Sequence, residues 1–518
     1  RVSYWTNVEF VVVVGFHHKK GNNIEFIYPP IGPGAAEDQG LAAACADADG
    51  GVFVPPEWRE FSYFALPDGA HHVDEDTSYF WVPRPAAVAL DGGIPVSQQR
   101  LHVTAYFKQI SLDAVVSRSA DMQRSSVQKA VCLLSSVPMY GAMENKAEML
   151  ARVFFEQYQA GKGVIGEQFD VGMLQECMGP PQDPRLFLEI SVDTLRQGAP
   201  AKSIVERFRS NTLRVLKLIL LQRRVLFFGS PARLLGRTVL AFLSLIPGQL
   251  EGTWLPLPSH LTELGLPLKL FDELQTLQPY LPMQGMSLIQ GETDERKGYL
   301  VGASNMLFGR LTPQEVEVIV NVNTGTIEVR QNVALEKLLK LSGEDHCFMA
   351  KIARCLLDSG PAPEERAGQL ALDQARLDSP SRLAQEGSDW LGGDSWVRQQ
   401  FEEYFCGLLA TLSTIPALAD SDVDLEVVLE DMDRLSPADA YHRPWVNAWL
   451  RTRAGAYWRS TSKADITSFD HPCKDETNLD FGRAFEELAG KVQGLTVVSN
   501  VMNATKGWFG WNNGSEAQ

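Results

Sequence analysis

The sequence predicts an α/β protein built as two lobes, the second ending in helices, and three stretches carry that expectation. Leu213 to Pro247 reads helix, buried strand, helix. An apolar helical run ends at Leu221 before the charged pair Arg223–Arg224, Val225–Phe228 favours a strand closed by Gly229-Ser230-Pro231, and apolar residues recur at three- and four-residue spacing from Leu234 to Ile246. A strand apolar on nearly every side belongs inside a layered lobe with helices on its faces. Ahead of it, the chain as far as about Tyr158 holds several β-favouring runs and few helical ones. Behind it, Val316–Val329 is a hairpin pattern turning at Asn323-Thr324-Gly325.

The elements follow in order. Val8–Gly15 and Ile24–Tyr28 are β-branched runs around FHHKKGNN, which reads as a hairpin with a polar tip. Residues 34–51, rich in Ala, Gly and Asp, read as a surface loop. Pro55-Pro56-Glu57-Trp58 opens a helix or turn, and Pro67-Asp68-Gly69 is a tight turn before a strand at Tyr79–Val82. Strands at Leu101–Ile110 and Val127–Leu134 precede a helix from about Ala142 to Tyr158. Residues 160–200, rich in Gly, Pro and Gln, mark the boundary between lobes. Gly298–Phe308 is a strand with its following turn, and helices are expected at Val333–Leu341, Phe348–Leu357 and Ser395–Leu412, the last with Asp394 as its cap. Pro361–Gly393 reads as a surface excursion. Trp445, Trp449 and Tyr457-Trp458 fall at near-helical spacing and belong to the core rather than to a base-stacking platform.

Composition narrows the function. The 518 residues suffice for two or three domains, and 45% apolar with 21% charged residues is ordinary for a globular protein. A net charge of −17 argues against nucleic acid as a partner, since that binding depends on Lys and Arg displacing counterions. Seven scattered cysteines form no CxxC, which suits a reducing compartment. No apolar run reaches the length of a membrane-spanning helix, and no signal-peptide pattern stands at the first residues given, which begin at Arg1 rather than Met.

Catalytic signatures are missing. Gly161-Lys162 has Glu156 where a phosphate-binding loop needs Gly, and neither HExxH nor GxSxG occurs. Asp420 to Asp424 starts like a calcium loop, but Leu425 stands where the turn Gly is needed, so it reads as an acidic surface. The doublets His17-His18 and His71-His72 each offer one metal ligand at most, because strand neighbours point to opposite faces. The reading is no metal, no cofactor and no covalent chemistry.

VVGFHHKKG, EFIYPP, PEW, FALPDGAH, EDTSYF, SVQKAVCLLSSVPMYG, LKLILLQRRVLFF, KGYLVGASNMLF and GGDSWVRQQF, in that order from about Val13 to Phe401, resemble the Avl-nine family of late-secretory-pathway proteins. Residues 34–51 are longer than the family pattern, and a long acidic insert that some members carry is absent. The resemblance implies a tripartite DENN module: a longin-like α/β lobe at 8–160, a linker at 161–200, a larger DENN lobe with a central α/β part at 201–330, and its helical downstream part at 331–460. It further implies a regulator of vesicle traffic from Golgi to plasma membrane, cytoplasmic and peripheral on Golgi or secretory-vesicle membranes, exchanging nucleotide on a Rab-type small GTPase. The alternative is a DENN-fold adaptor or effector that binds a GTPase and membrane without exchange. An exchange factor needs no acid, base or nucleophile, because it weakens nucleotide affinity by binding the nucleotide-free GTPase more tightly.

Two surfaces are expected to carry that role. Exposed polar residues of the matched motifs, His17, His18, Lys19 and Lys20 on the first hairpin with Asp68 and His71 after the second turn, form the partner-binding set across the cleft between lobes; Asp68-Gly69 also reads simply as a turn. Residues 479–511 form an amphipathic helix whose apolar stripe includes Phe485, Leu488, Val492, Leu495, Met502 and Phe509, with Trp508 beside it. That stripe is the expected peripheral membrane contact, or else docks on the protein's own lobe.

Overall fold

The computed structural model describes residues 8–17, 21–31, 52–88, 99–114, 126–160, 191–251, 254–271, 275–290, 297–358, 391–413, 437–461 and 469–474. The expected loop at 34–51, the excursion at 361–390, the acidic run 420–424 and the amphipathic stripe at 479–511 lie outside them.

Strands β1 (Val8–His17) and β2 (Gly21–Tyr28), helix α1 (Phe61–Ala65), strands β3 (Glu75–Pro83), β4 (Arg100–Ser111) and β5 (Ser126–Ser135), and helix α2 (Tyr140–Gln159) make the first lobe. Its antiparallel sheet has the order β2-β1-β5-β4-β3. The run Val11–Val14 is apolar without alternation because both faces are covered. Val11 and Val13 pack with Tyr106 and Leu133 against Leu150 and Phe154 of α2, whereas Phe10, Val12 and Val14 pack with Trp58, Phe61 and Phe64.

After helices α3 (Val192–Arg196), α4 (Ala201–Phe208) and α5 (Asn211–Leu220) comes β6 (Arg224–Phe228), followed by α6 (Ala232–Ser244) and α7 (Ser259–Glu263). The stretch Leu213–Pro247 is thus helix, strand, helix as its periodicity predicts. Strands β7 (Gln275–Gln278), β8 (Gly298–Ala303), β9 (Val318–Asn321) and β10 (Thr326–Val329) complete a second sheet in the order β10-β9-β6-β8-β7. In it β6 runs parallel to β8 and β9, and β9–β10 is the antiparallel hairpin. Val225 and Phe227 of β6 face a helical layer, but Leu226 faces the apolar cluster that also holds Phe80 and Val103 of the first sheet. The two sheets therefore share one core.

Helices α8 (Val333–Leu338), α9 (Gly343–Asp358), α10 (Asp394–Ser413), α11 (Arg443–Leu450) and α12 (Arg453–Thr461) pack as the helical layer. Trp445, Trp449 and Trp458 are core residues, as their spacing predicts, but Tyr457 is exposed, with Lys269 over its ring. At the centre of the layer the Lys217 ammonium of α5 donates to Asp345 of α9, and both are buried. Tyr404 donates to the same carboxylate at 2.8 Å. Residues 469–474 dock here too: Gly407 leaves room for the Asp470 carbonyl, and His471 is buried beside the rings of Tyr404 and Tyr441. The capping role expected of Asp394 is corrected. Asp394 is itself the first residue of α10, and its carboxylate accepts the Lys202 amide at 2.7 Å, capping α4, whose preceding Pro200 has no side-chain acceptor to offer.

Candidate partner-binding surface at the junction of the sheets

Strand β3 is the edge of the first sheet, and it meets α6 at two places and the edge strand β7 of the second sheet at a third. Buried Asp76 accepts the amides of Ala232 at 2.8 Å and Arg233 at 2.9 Å, the first two residues of α6. Pro231 provides no side-chain cap, so a strand of the other lobe satisfies these donors. Burial nevertheless pushes the Asp76 carboxyl above its ordinary range, these two amides, that of Thr77 at 2.8 Å and the Arg233 charge only partly opposing it. Further along, Tyr79 donates to Glu144 at 2.6 Å, and the same buried carboxylate takes Arg237 at 2.5 Å and the Arg233 guanidinium. Burial pushes Glu144 up, but the Tyr79 hydroxyl and the two cations outweigh it and hold the carboxyl below the usual range. At the third place the Gln278 amide pairs with both main-chain groups of Trp81, at 2.9 and 3.2 Å, and the Trp81 indole donates to the Leu277 carbonyl. The edge strands β3 and β7 are thereby closed against each other.

The turn leading into β3 supports a surface of different character. Pro67–Gly69 is a turn, with Ala70 N bonded to Pro67 O at 3.0 Å and Gly69 at positive φ. Asp68 N donates to Tyr280 Oη at 2.7 Å, and its carboxylate accepts Met283 N at 2.8 Å and the Asn305 side chain. Asn305 in turn caps its own 3-10 turn by accepting Leu307 N at 3.0 Å. One carboxylate thus ties together two 3-10 turns, Met283–Leu288 and Met306–Arg310, which pack on each other. Their exposed side chains are apolar: Met283 is 38% exposed, Leu288 55%, Met306 52% and Leu307 38%. Two neighbouring turns thus expose four large apolar side chains, a candidate interaction surface, and the methionines among them are the residues best able to fit an irregular partner. Exposed His71 and His72 follow Asp68 on the first-lobe side.

The family model described as Transport protein Avl9 matches residues 8–253 and 257–412. The chain belongs to this family. Among its relatives is the late secretory pathway protein AVL9 of Saccharomyces cerevisiae, 25% identical over 477 residues, covering 86% of this chain and 57% of that protein. The chain therefore spans little more than half the length of the budding-yeast relative. The late secretory pathway protein avl9 of Schizosaccharomyces pombe is 25% identical over 511 residues, covering 93% of this chain and 94% of that protein.

Within this Avl9-family chain, the surface residues expected from sequence separate. His17 ends β1 opposite Gly21 and is half-buried. His18, Lys19 and Lys20 lie outside the described residues, as do Phe485, Leu488, Val492, Leu495, Met502, Trp508 and Phe509. Asp68 is bonded to the first apolar turn and exposed His71 follows it three residues on, although the Asp68 carboxylate is turned to internal bonds. Burial raises its carboxyl against the Met283 and Asn305 hydrogen bonds. His71 and His72 do not point to opposite faces of a strand, as expected from sequence: they lie in a 3-10 turn, with ring centroids 3.8 Å apart. Among the described residues no group of three or more His, Cys, Asp or Glu is placed to hold a metal ion, and no helix is long and apolar enough to cross a membrane. Sequence reasoning missed Met283, Leu288, Met306 and Leu307. The signal available was large apolar residues in short Gly-, Pro- and Asn-punctuated stretches without strand or helix period.

Proposed function

We propose that this chain is a DENN-type regulator of vesicle traffic in the late secretory pathway, acting as a guanine-nucleotide exchange factor for a Rab-type small GTPase at Golgi or secretory-vesicle membranes. Membership of a transport-protein family, the late-secretory-pathway names of two relatives and the ordered motif resemblance support the pathway. The observation that carries the partner reading is the apolar group Met283, Leu288, Met306 and Leu307, fixed by Asp68 where the two lobes meet. Exchange requires a surface that grips the nucleotide-free GTPase more tightly than the loaded one, and the difference appears as weakened nucleotide affinity.

The test is release of a labelled guanine nucleotide from a panel of Rab proteins, with the full chain and with Met283→Asp/Met306→Asp. Each lost apolar contact removes about 1.5–3 kcal/mol, so the double variant should slow release by at least about a hundredfold while melting like the parent. Failure of the parent to accelerate release from any Rab refutes exchange. Preferential capture of GTP-loaded over nucleotide-free Rab assigns the chain to the effector class instead. A double variant as active as the parent moves the site elsewhere.

A further inference from the structure

We propose that Glu144 is a lock that sets the angle between the two sheets. The apolar cluster shared by the sheets resists their separation, but hydrophobic burial is non-directional and tolerates sliding and rotation. Charge-assisted hydrogen bonds do not. Glu144 on α2 reaches Arg233 and Arg237, which stand four residues apart on α6, and Tyr79 on β3 donates to the same carboxylate. Two cations on successive turns fix both the rotation of α6 and its position along β3, while Asp76 pins its first turn. The helix can approach so closely only because Gly236 has no side chain: a Cβ there would enter the Tyr79 ring.

The carboxylate is sealed from solvent, whereas both guanidiniums are about one third exposed at 37% and 35%. Removing the carboxylate therefore leaves two cations that can turn to water, and α6 loses its bearing on β3 without an unpaired charge being trapped in the core. The lobe angle matters beyond the junction, because Asp68 of the first lobe is bonded to Tyr280 and Met283 of the second, and a changed angle acts on those bonds and on the apolar turns they hold.

The lock is tested on the full chain, with no partner present, so the outcome is independent of the GTPase reading. Spin labels introduced as a genetically encoded amino acid at exposed Met149 on α2 and exposed Val333 on α8 report the distance across the junction. Glu144→Gln keeps the shape and removes the charge. Glu148→Gln, which breaks only a surface pair with Arg152 on the same helix, is the control. The parent and the control should give one narrow distance, and Glu144→Gln a distribution at least about twice as broad or split in two, since a weakened two-state preference populates the second state. Circular dichroism must show unchanged helix content. Should Glu144→Gln not fold, Tyr79→Phe and Arg233→Gln, which each remove one bond of the set, should broaden the distance by smaller steps. A folded variant with the parent's narrow distance overturns the lock, and so does unfolding of all three variants, which would make Glu144 a support of the core instead.

Discussion

Replacing Asp345 by Asn should be among the most damaging isosteric changes available to this chain. The carboxylate is buried, and it is the counter-charge of Lys217, whose ammonium is buried beside it, with the Tyr441 carbonyl at 3.2 Å and the Trp445 ring at 5.1 Å as its further partners among the described residues. Asn still accepts from Tyr404 but leaves the ammonium uncompensated, a loss of about 3–5 kcal/mol. At about 2–4 °C per kcal/mol for a cooperative unit of roughly 150–250 residues, the melting temperature at neutral pH should fall by about 6–20 °C. Lys217→Met combined with Asp345→Leu removes both charges and should recover more than half of that loss. Burial pushes the Asp345 carboxyl up, but Lys217 and the hydrogen bonds dominate and hold it well below its ordinary range. A depressed folded value means that the contribution is complete above the unfolded carboxyl range and is lost as pH falls through the folded one. The gap between parent and Asn variant should therefore narrow below about pH 4. Calorimetric melts across that range decide it: a variant within about 1 °C of the parent at neutral pH, or a gap that does not close in acid, refutes the reasoning.

Gly236→Ala should destabilise the chain by about 1–3 kcal/mol in urea unfolding, because the Tyr79 ring must move, even though Ala is the better helix former by about 1 kcal/mol. An increase in stability would show that the contact yields easily. Native-state alkylation at neutral pH should spare Cys132 and Cys406, whose thiols burial pushes up, that of Cys406 to about 12, and both should react once the chain is unfolded. Labelling of either before unfolding would contradict the burial.

What the sequence makes legible is what depends on neighbours in the chain. The helix, strand, helix at 213–247, the hairpins β1–β2 and β9–β10, and the helix ending near Tyr158 follow from periodicity and turn residues. Strand β3 was legible only in part. Tyr79–Val82 has strand character, but the strand begins at Glu75, and Asp76, Thr77 and Ser78 look polar although they are buried. Asp76 is explained by the amides of α6, and Ser78 by its bond to the Phe64 carbonyl at 2.7 Å. Glu144 and Asp345 resemble surface charges of amphipathic helices for the same reason: Arg233 and Arg237 are 89 and 93 residues from Glu144, and Lys217 is 128 from Asp345. No local pattern announces such partners. The apolar turns at 283–288 and 306–310 were illegible as a surface because exposure is decided by what fails to cover them.

The arrangement around β3 bears on how a partner could be held. Loops that present apolar side chains are costly to order on binding, roughly 0.5–1.5 kcal/mol for each immobilised rotamer-rich side chain. Here part of that ordering is completed on folding: Asp68 fixes the start of one turn directly and the other through Asn305, and the Tyr280 hydroxyl holds the backbone of Asp68 itself. Tyr280 is in turn buried in the core. The backbone under Met283 and Met306 is therefore set before any partner arrives, while their flexible thioether chains remain free to fit it. A surface built this way gains affinity by avoiding ordering costs rather than by adding area, which suits a site of four apolar side chains better than a broad interface would.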